Sequence, residues 1–288
     1  MVNKYAELHC NDVETKIKSL VITKLKSMIL VDACVDNLLR GRHCLFFSIE
    51  MSEREVFLRM VARYANFNYD QMSKKQLTKE ENEQLIAKAI EFKERVKGRL
   101  QIYQNRSGIL VKNIESHIAK RRKGGQQVDD VFIDYLQILE ETTKPNKIEK
   151  MDELCKQVRQ LKQKMGIRVF IPAQLGASAK TKPIEEINEF DIWYAKNLAR
   201  ECDILLILHN DQEYEKCTLM RYALARINYT DDVYFFPNAD FNRAYIGEGQ
   251  VYDKNKIETL AEKKHWRKRG QYDEEDNGKG DIDWMNFK

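Results

Sequence analysis

With 288 residues, of which 43% are hydrophobic and 33% charged, the chain has the balance of a globular protein able to bury a sizeable core, and a disordered chain is excluded. The formal net charge is only +4, so no cationic shell is implied and any polyanion site has to come from local clusters. No apolar run approaches the roughly 18 residues that a membrane span needs. The start "MVNKYAELHCND" lacks the apolar stretch of a secretory signal, so a cytoplasmic protein without a membrane partner is expected. The six cysteines are scattered with no C-x-x-C pair, and no zinc site is expected.

In chain order, residues 28–39 ("MILVDACVDNLL") carry apolar groups on a broad helical stripe, and Gly41 ends that helix ahead of a strand at 44–49. Ser52 and Glu55 form an S-x-x-E capping box, so a helix "EREVFLRMVARYANF" follows directly. A polar helix near 78–97, a short strand "LQIYQN", a helix around 111–123 and a break at "KGGQQ" lead to a second apolar strand in "DDVFIDYLQIL". "ETTKPNKIEK" is expected as a loop around Pro145, followed by an amphipathic helix over 151–165 that Gly166 ends. Strands in "IRVFIPAQL" and "ECDILLILHN" come next, then an antiparallel pair from "LMRYALARIN" and "DDVYFFP". After Tyr245 the apolar period fades; "KKHWRKRG" is basic, "YDEEDNGKGDIDW" acidic, and a marginal helix with a flexible, solvated end is expected. Strands alternating with helices imply an α/β fold, a mainly parallel twisted sheet with helices on both faces.

Three of the apolar strands stop on polar groups: Glu50, Asp134 and Gln174. In a doubly wound sheet, ligands bind outside the carboxyl ends of the strands. Each residue alone could cap the turn that follows it. Together on adjacent strands they would line one crevice with two carboxylates and an amide, the set that phosphoanhydride hydrolysis uses to hold magnesium, orient water and sense the terminal phosphate. A phosphate cradle of pattern G-x-x-x-x-G-K-[ST] should open the first helix. Lys26 and Ser27 stand where its last two residues belong, whereas the glycine positions hold Leu20 and Leu25. Leucine opposes both the turn and the close approach that glycine permits, so the loop is either degenerate or rebuilt by an altered N-terminus.

The segment "LFFSIEMSEREVFLRMVARYANFNYDQMSKKQLT" resembles the DnaB-family replicative helicases, in which a strand ends in Ser-Leu-Glu-Met and a helix with an internal arginine follows. "VFIDYLQIL" resembles their Walker B strand, "LKQKMGIRVFIPAQL" the helix and strand that end in their sensor glutamine, and "LARECDILLIL" their next helix and strand. The likeness runs from about Lys26 to Tyr245 and implies a RecA-like P-loop NTPase core. The resulting plan is a leading segment at 1–25, a RecA-like helicase ATPase domain at 26–247 and a charged tail at 248–288, with no counterpart of the family's N-terminal helical domain.

Carried over residue by residue, the resemblance implies Glu50 as the catalytic carboxylate, Asp134 as the magnesium-side aspartate and Gln174 as the γ-phosphate sensor. Lys26 and Ser27 would be the remnants of Walker A, with Ser27 and Asp134 holding magnesium through water. "LARIN" keeps the family's trans-acting arginine as Arg226 but has Leu224 at the lysine position, and a finger supplied in trans implies a ring, here a homo-hexamer. Candidate contacts to single-stranded DNA are Lys144, Lys147 and Lys150, Lys180 and Lys182, and Trp193 with Lys196, where the family has Arg-Glu-Ser-Gly at 193–196. Trp193 and Tyr194 could equally be packing residues.

The resemblance therefore implies ATP and magnesium as cofactors and, as partners, single-stranded DNA and a primase or helicase loader, in a bacterial or phage-infected cell. Three functions follow: a helicase motor domain; a paralogue that has lost turnover and serves as a ring component, loader or regulator; or another RecA-like ATPase such as a recombinase. "FSIEMS" argues against the third.

Overall fold

The computed structural model describes residues 19–22, 26–105, 109–136, 139–140, 146–174, 176, 182, 191–192, 201–210, 218–225, 234–240, 243 and 245–252. The first element is a strand that the sequence pattern does not announce, β1 (Ser19–Ile22), and it lies inside the segment expected to lead into the domain. Helix α1 (Lys26–Leu39) starts two residues before its apolar stripe and is nearly all buried. Strand β2 (Cys44–Ser48) is buried throughout, and the Ser52 capping box opens α2 (Glu53–Ala65): Ser52 Oγ accepts from the Glu55 N–H at 3.2 Å and Glu55 Oε2 accepts from the Ser52 N–H at 2.7 Å. A short α3 (Tyr69–Ser73) precedes α4 (Lys79–Arg95), which is capped in the same way by Thr78 and Glu81.

Next come β3 (Leu100–Gln104), β4 (Ile109–Leu110), α5 (Val111–Lys123), β5 (Asp130–Asp134) and β6 (Leu139–Glu140). Helix α6 (Lys147–Met165) begins four residues earlier than its apolar period suggests, because the Asn146 side chain accepts from the Ile148 N–H at 2.9 Å and caps it. Gly166, at φ 57°, ends it in the left-handed region where glycine carries no Cβ penalty. The chain continues as β7 (Arg168–Pro172), β8 (Ile204–Asn210), β9 (Thr218–Ala225), β10 (Tyr234–Asp240) and β11 (Tyr245–Tyr252). Strand β11 thus carries into the first five residues of the segment expected as tail.

The main sheet has the order β11-β10-β9-β8-β1-β7-β5-β2-β3. From β8 to β3 every pairing is parallel, and β8 to β11 form an antiparallel extension, including the expected β9–β10 pair. Alternation along the buried strands sends Phe46, Phe132 and Phe170 to one face, with neighbouring ring centroids 6.1 and 4.6 Å apart, under α1, α2 and α4. Leu45, Phe47, Val131, Ile133, Val169 and Ile171 face α5 and α6 on the other side. The expected parallel sheet with helices on both faces is therefore what forms. Among the described residues no helix is long and apolar enough to cross a membrane.

Candidate active site at the strand ends

Strands β7, β5 and β2 are consecutive in the sheet and parallel, with Ser48 paired to Asp134 and Phe132 to Phe170. Their carboxyl ends therefore lie side by side, and the trio read from the sequence comes to one edge. Asp134 is the last residue of β5 and is 1% exposed. Its Oδ2 accepts a hydrogen bond from Ser27 Oγ at 2.6 Å, which ties the first turn of α1 to the end of β5 across 107 residues of sequence. Glu50 stands two residues beyond β2 with its side chain exposed. Its turn is held on both sides: Ser48 Oγ accepts from the Met51 N–H at 3.0 Å, and Ser52 is committed to capping α2. Gln174 is half-buried, two residues beyond β7.

Tyr135 joins the three. Burial raises its phenol pKa, the neighbouring carboxylates of Glu50 and Asp134 raise it further, and a hydrogen bond with the Gln174 side chain works in the other direction. The phenol thus sits within reach of both carboxylates, stays protonated in neutral solution and touches the residue expected to sense the γ-phosphate. The sequence carries a signal for it, since Tyr135 directly follows Asp134, but an uncharged residue just past a strand end does not stand out.

The expected phosphate cradle is described at its two flanks, β1 and α1. Leu20, at the first glycine position, is inside β1, paired with Phe170 on β7 and Ile204 on β8. Only Thr23, Lys24 and Leu25 connect Ile22 to Lys26, where the motif takes six residues between its strand and its lysine. Ser27 is held against Asp134, a pair of hard oxygen donors suited to magnesium, which binds through one or two such ligands plus water and substrate phosphates. Among the described residues no group of three His, Cys, Asp or Glu forms a cage that would hold a metal by itself. Lys26 is the first residue of α1.

Of the residues expected to touch DNA, Lys147 and Lys150 lie on the first turn of α6, not on a loop, one helical step apart on the same side. Lys182 is engaged elsewhere: its Nζ donates to both carboxylate oxygens of the buried Asp191, at 2.8 and 3.1 Å. That pairing occupies its ammonium, and nothing in the sequence spacing signals a partner nine residues away. Lys144, Lys180, Trp193, Lys196 and Arg226 lie outside the described residues, as does Leu25.

Comparison with known proteins identifies the family and the fold. The chain is 23% identical over 194 residues to a probable plasmid replicative DNA helicase of Chlamydia psittaci, covering 66% of this chain and 41% of that protein. It is 24% identical over 178 residues to the replicative DNA helicase DnaC of Bacillus subtilis, covering 60% and 37%. The chain thus spans about two fifths of the length of the curated relatives it matches. Among solved structures, an ATPase domain superposes with a TM-score of 0.66 at 17% identity, over 81% of this chain and 84% of that one. A DnaB-like replicative helicase studied with primase gives a TM-score of 0.66 at 14% identity, over 78% and 55%. At those identities the superpositions show the fold, a RecA-like ATPase core. The model of the DnaB-like helicase C terminal domain matches residues 15–228, and the chain, with its Ser27–Asp134 pair at the strand ends, belongs to that family.

Proposed function

We propose that the chain is the motor domain of a ring-forming replicative helicase that hydrolyses ATP with magnesium to translocate on single-stranded DNA and unwind duplex. The observation that carries this reading is the convergence of Ser27, Glu50, Asp134 and Gln174 at one edge of three adjacent parallel strands. When bound, Mg-ATP supplies the scissile phosphoanhydride and neutralises charge on its oxygens; Lys26, Ser27 and Asp134 are the residues that would hold it. Glu50, exposed on a fixed turn, orients a water and accepts its proton. Gln174 reports the state of the terminal phosphate, and Arg226 reaches the neighbouring subunit's site in a homo-hexamer. Lys144, Lys147 and Lys150, Lys180 and the Trp193–Lys196 segment contact the DNA strand, and a primase or loader docks on the assembled ring in the cytoplasm.

Tyr135 positions Gln174. Tyr135→Phe keeps the ring and removes the hydroxyl that meets the amide, so kcat for ATP hydrolysis should fall about ten-fold with little change in KM. A rise in KM with unchanged kcat would place the phenol in binding rather than positioning.

The three-residue connection between β1 and α1 favours a second reading, a ring component or regulator of DNA replication that no longer turns over ATP. Titrating a fluorescent ATP analogue with magnesium into the wild type and Lys26→Ala separates the two. The motor reading expects saturable binding that weakens by roughly ten- to a hundred-fold in the variant, the loss of one charge-assisted contact to phosphate. A wild type that binds no nucleotide leaves only the second reading.

A further inference from the structure

The amino-terminal edge of the same strands carries a feature that the nucleotide site does not use. Four connections lead into β2, β3, β5 and β7, at 40–43, 95–99, 120–130 and 162–168, the last three counted from within the last turn of the preceding helix and the last two through the first residue of the strand, and these strands are neighbours in the order β7-β5-β2-β3. Their starts are in register, Cys44 with both Leu100 and Asp130, and Asp130 with Arg168. The loops hold twelve lysines and arginines against two aspartates, a formal +10 in a chain whose total is +4. Neighbouring elements lend Glu94, Glu115 and Asp203 as ion-pair partners, which still leaves +7 at this edge. Positive charge is therefore concentrated here, and the remainder of the chain is net acidic.

The loops are fastened to one another. Arg99 donates to the Leu38 carbonyl at 3.0 Å, the Cys44 N–H to the Arg99 carbonyl at 2.7 Å, Arg121 to the Gly98 carbonyl at 2.9 Å, and the Arg168 N–H to the Asp129 carbonyl at 2.9 Å. The cations consequently form a fixed row rather than four independent flexible tips. Arg40, Lys120 and Lys123 are exposed in it, and among the described residues none of them has a carboxylate within ion-pair distance.

We infer that this row is a second DNA-contacting surface, which binds the phosphodiester backbone without reading sequence. Four strands at about 4.8 Å spacing give a row of roughly 15 Å. One strand of duplex presents a phosphate about every 3.4 Å along its axis, so the row spans about four of them. His43 is the only aromatic residue in the four loops, so stacking on bases contributes little, and duplex serves as well as single strand. The row lies a full strand length from Glu50, Asp134 and Gln174, about 13 Å for the five residues of β5, so both edges can be occupied at once. The choice of DNA as the polyanion rests on the helicase reading; the charge row does not.

The test uses the full chain without nucleotide, so that it does not depend on ATP turnover. Arg40→Gln/Lys120→Gln/Lys123→Gln is compared with the wild type and with Lys147→Gln/Lys150→Gln by titration of fluorescein-labelled 20-mer single-stranded and duplex DNA over a range of salt. The row triple variant should lower affinity roughly a hundred-fold at 0.1 M salt and flatten the log K against log salt slope by about 2 for single strand and about 2.7 for duplex. These losses should add to those of the Lys147/Lys150 variant, with melting temperatures unchanged. Unchanged affinity and slope in the triple variant would overturn the proposal. So would displacement of DNA by equimolar peptide 271–284 of this chain, because the row would then be a dock for an acidic segment such as its own tail.

Discussion

Glu50→Gln will lower DNA-stimulated ATP hydrolysis by about 10²–10⁴-fold, the range that a positioned general base contributes, while Mg-ATP affinity and melting temperature stay where they are. The substitution keeps the shape and one acceptor oxygen of the side chain and removes its ability to take a proton from water. Stability should be indifferent to it. Glu50 is exposed, its turn is fixed by Ser48 and Ser52 rather than by its own carboxylate, and among the described residues no ion pair depends on it. Its one described influence is on the Tyr135 phenol, whose pKa it helps to raise together with burial and Asp134. In the variant that carboxylate contribution disappears, so the Tyr135 phenol should titrate at lower pH than in the wild type, a shift readable by ultraviolet difference spectroscopy. An ATPase rate within a factor of two of wild type would remove Glu50 from the chemistry. A rate loss accompanied by a lower melting temperature would instead make it a turn residue.

The parts of the fold legible in the sequence are those whose signal is local. Strands β2, β5 and β7 are covered on both faces, so they read as continuous apolar runs, and the polar residues that end them stand out. Ser52 announces its helix because the capping box lies within four residues, and the structure shows the same box at Thr78 and Glu81 opening α4. Strand β1 is the opposite case. It has four residues, "SLVI", between lysine-bearing flanks, and its place in the sheet comes from pairing with β7 and β8, more than 140 residues away. That pairing places Leu20, which the sequence pattern puts at the first glycine position of the phosphate loop, inside a strand. Helix α6 reads as starting late because Pro145 and the lysines suggest a loop, although Asn146 is available as its cap. Strand β11, with two glycines in "YIGEGQVY", takes its order from antiparallel pairing with β10 rather than from its own pattern. At the site, the trio is legible as strand ends, whereas the Tyr135–Gln174 contact and the capture of Lys182 by Asp191 depend on distances that only the fold sets.

Asp130→Ala should be the most damaging single substitution at the other edge of the sheet, costing about 3 kcal/mol, the lower end of the range for breaking a buried ion pair. Asp130 is fully buried at the start of β5 and accepts from two guanidinium groups. Arg42 reaches it through Nε at 2.7 Å and Nη2 at 3.1 Å, and Arg168 through Nε at 2.6 Å and Nη2 at 2.9 Å. Arg168 also donates to Asn37 Oδ1 at 2.6 Å, and Asn37 in turn to the Ala33 carbonyl at 2.7 Å, so one carboxylate joins α1, the loop before β2, β5 and β7. The lower end of the range applies because the two arginine side chains are 35% and 24% exposed and can rehydrate once released. For a domain of this size the loss corresponds to a melting temperature lower by about 6–12 °C. Urea unfolding of Asp130→Ala, Arg42→Met, Arg168→Met and the two double variants would apportion it. Coupling energies above about 0.5 kcal/mol with each arginine are expected for residues in direct contact. If Asp130→Ala costs under about 1 kcal/mol, the hub does not hold this edge, and the row of cations it organises would owe its order to the backbone bonds alone.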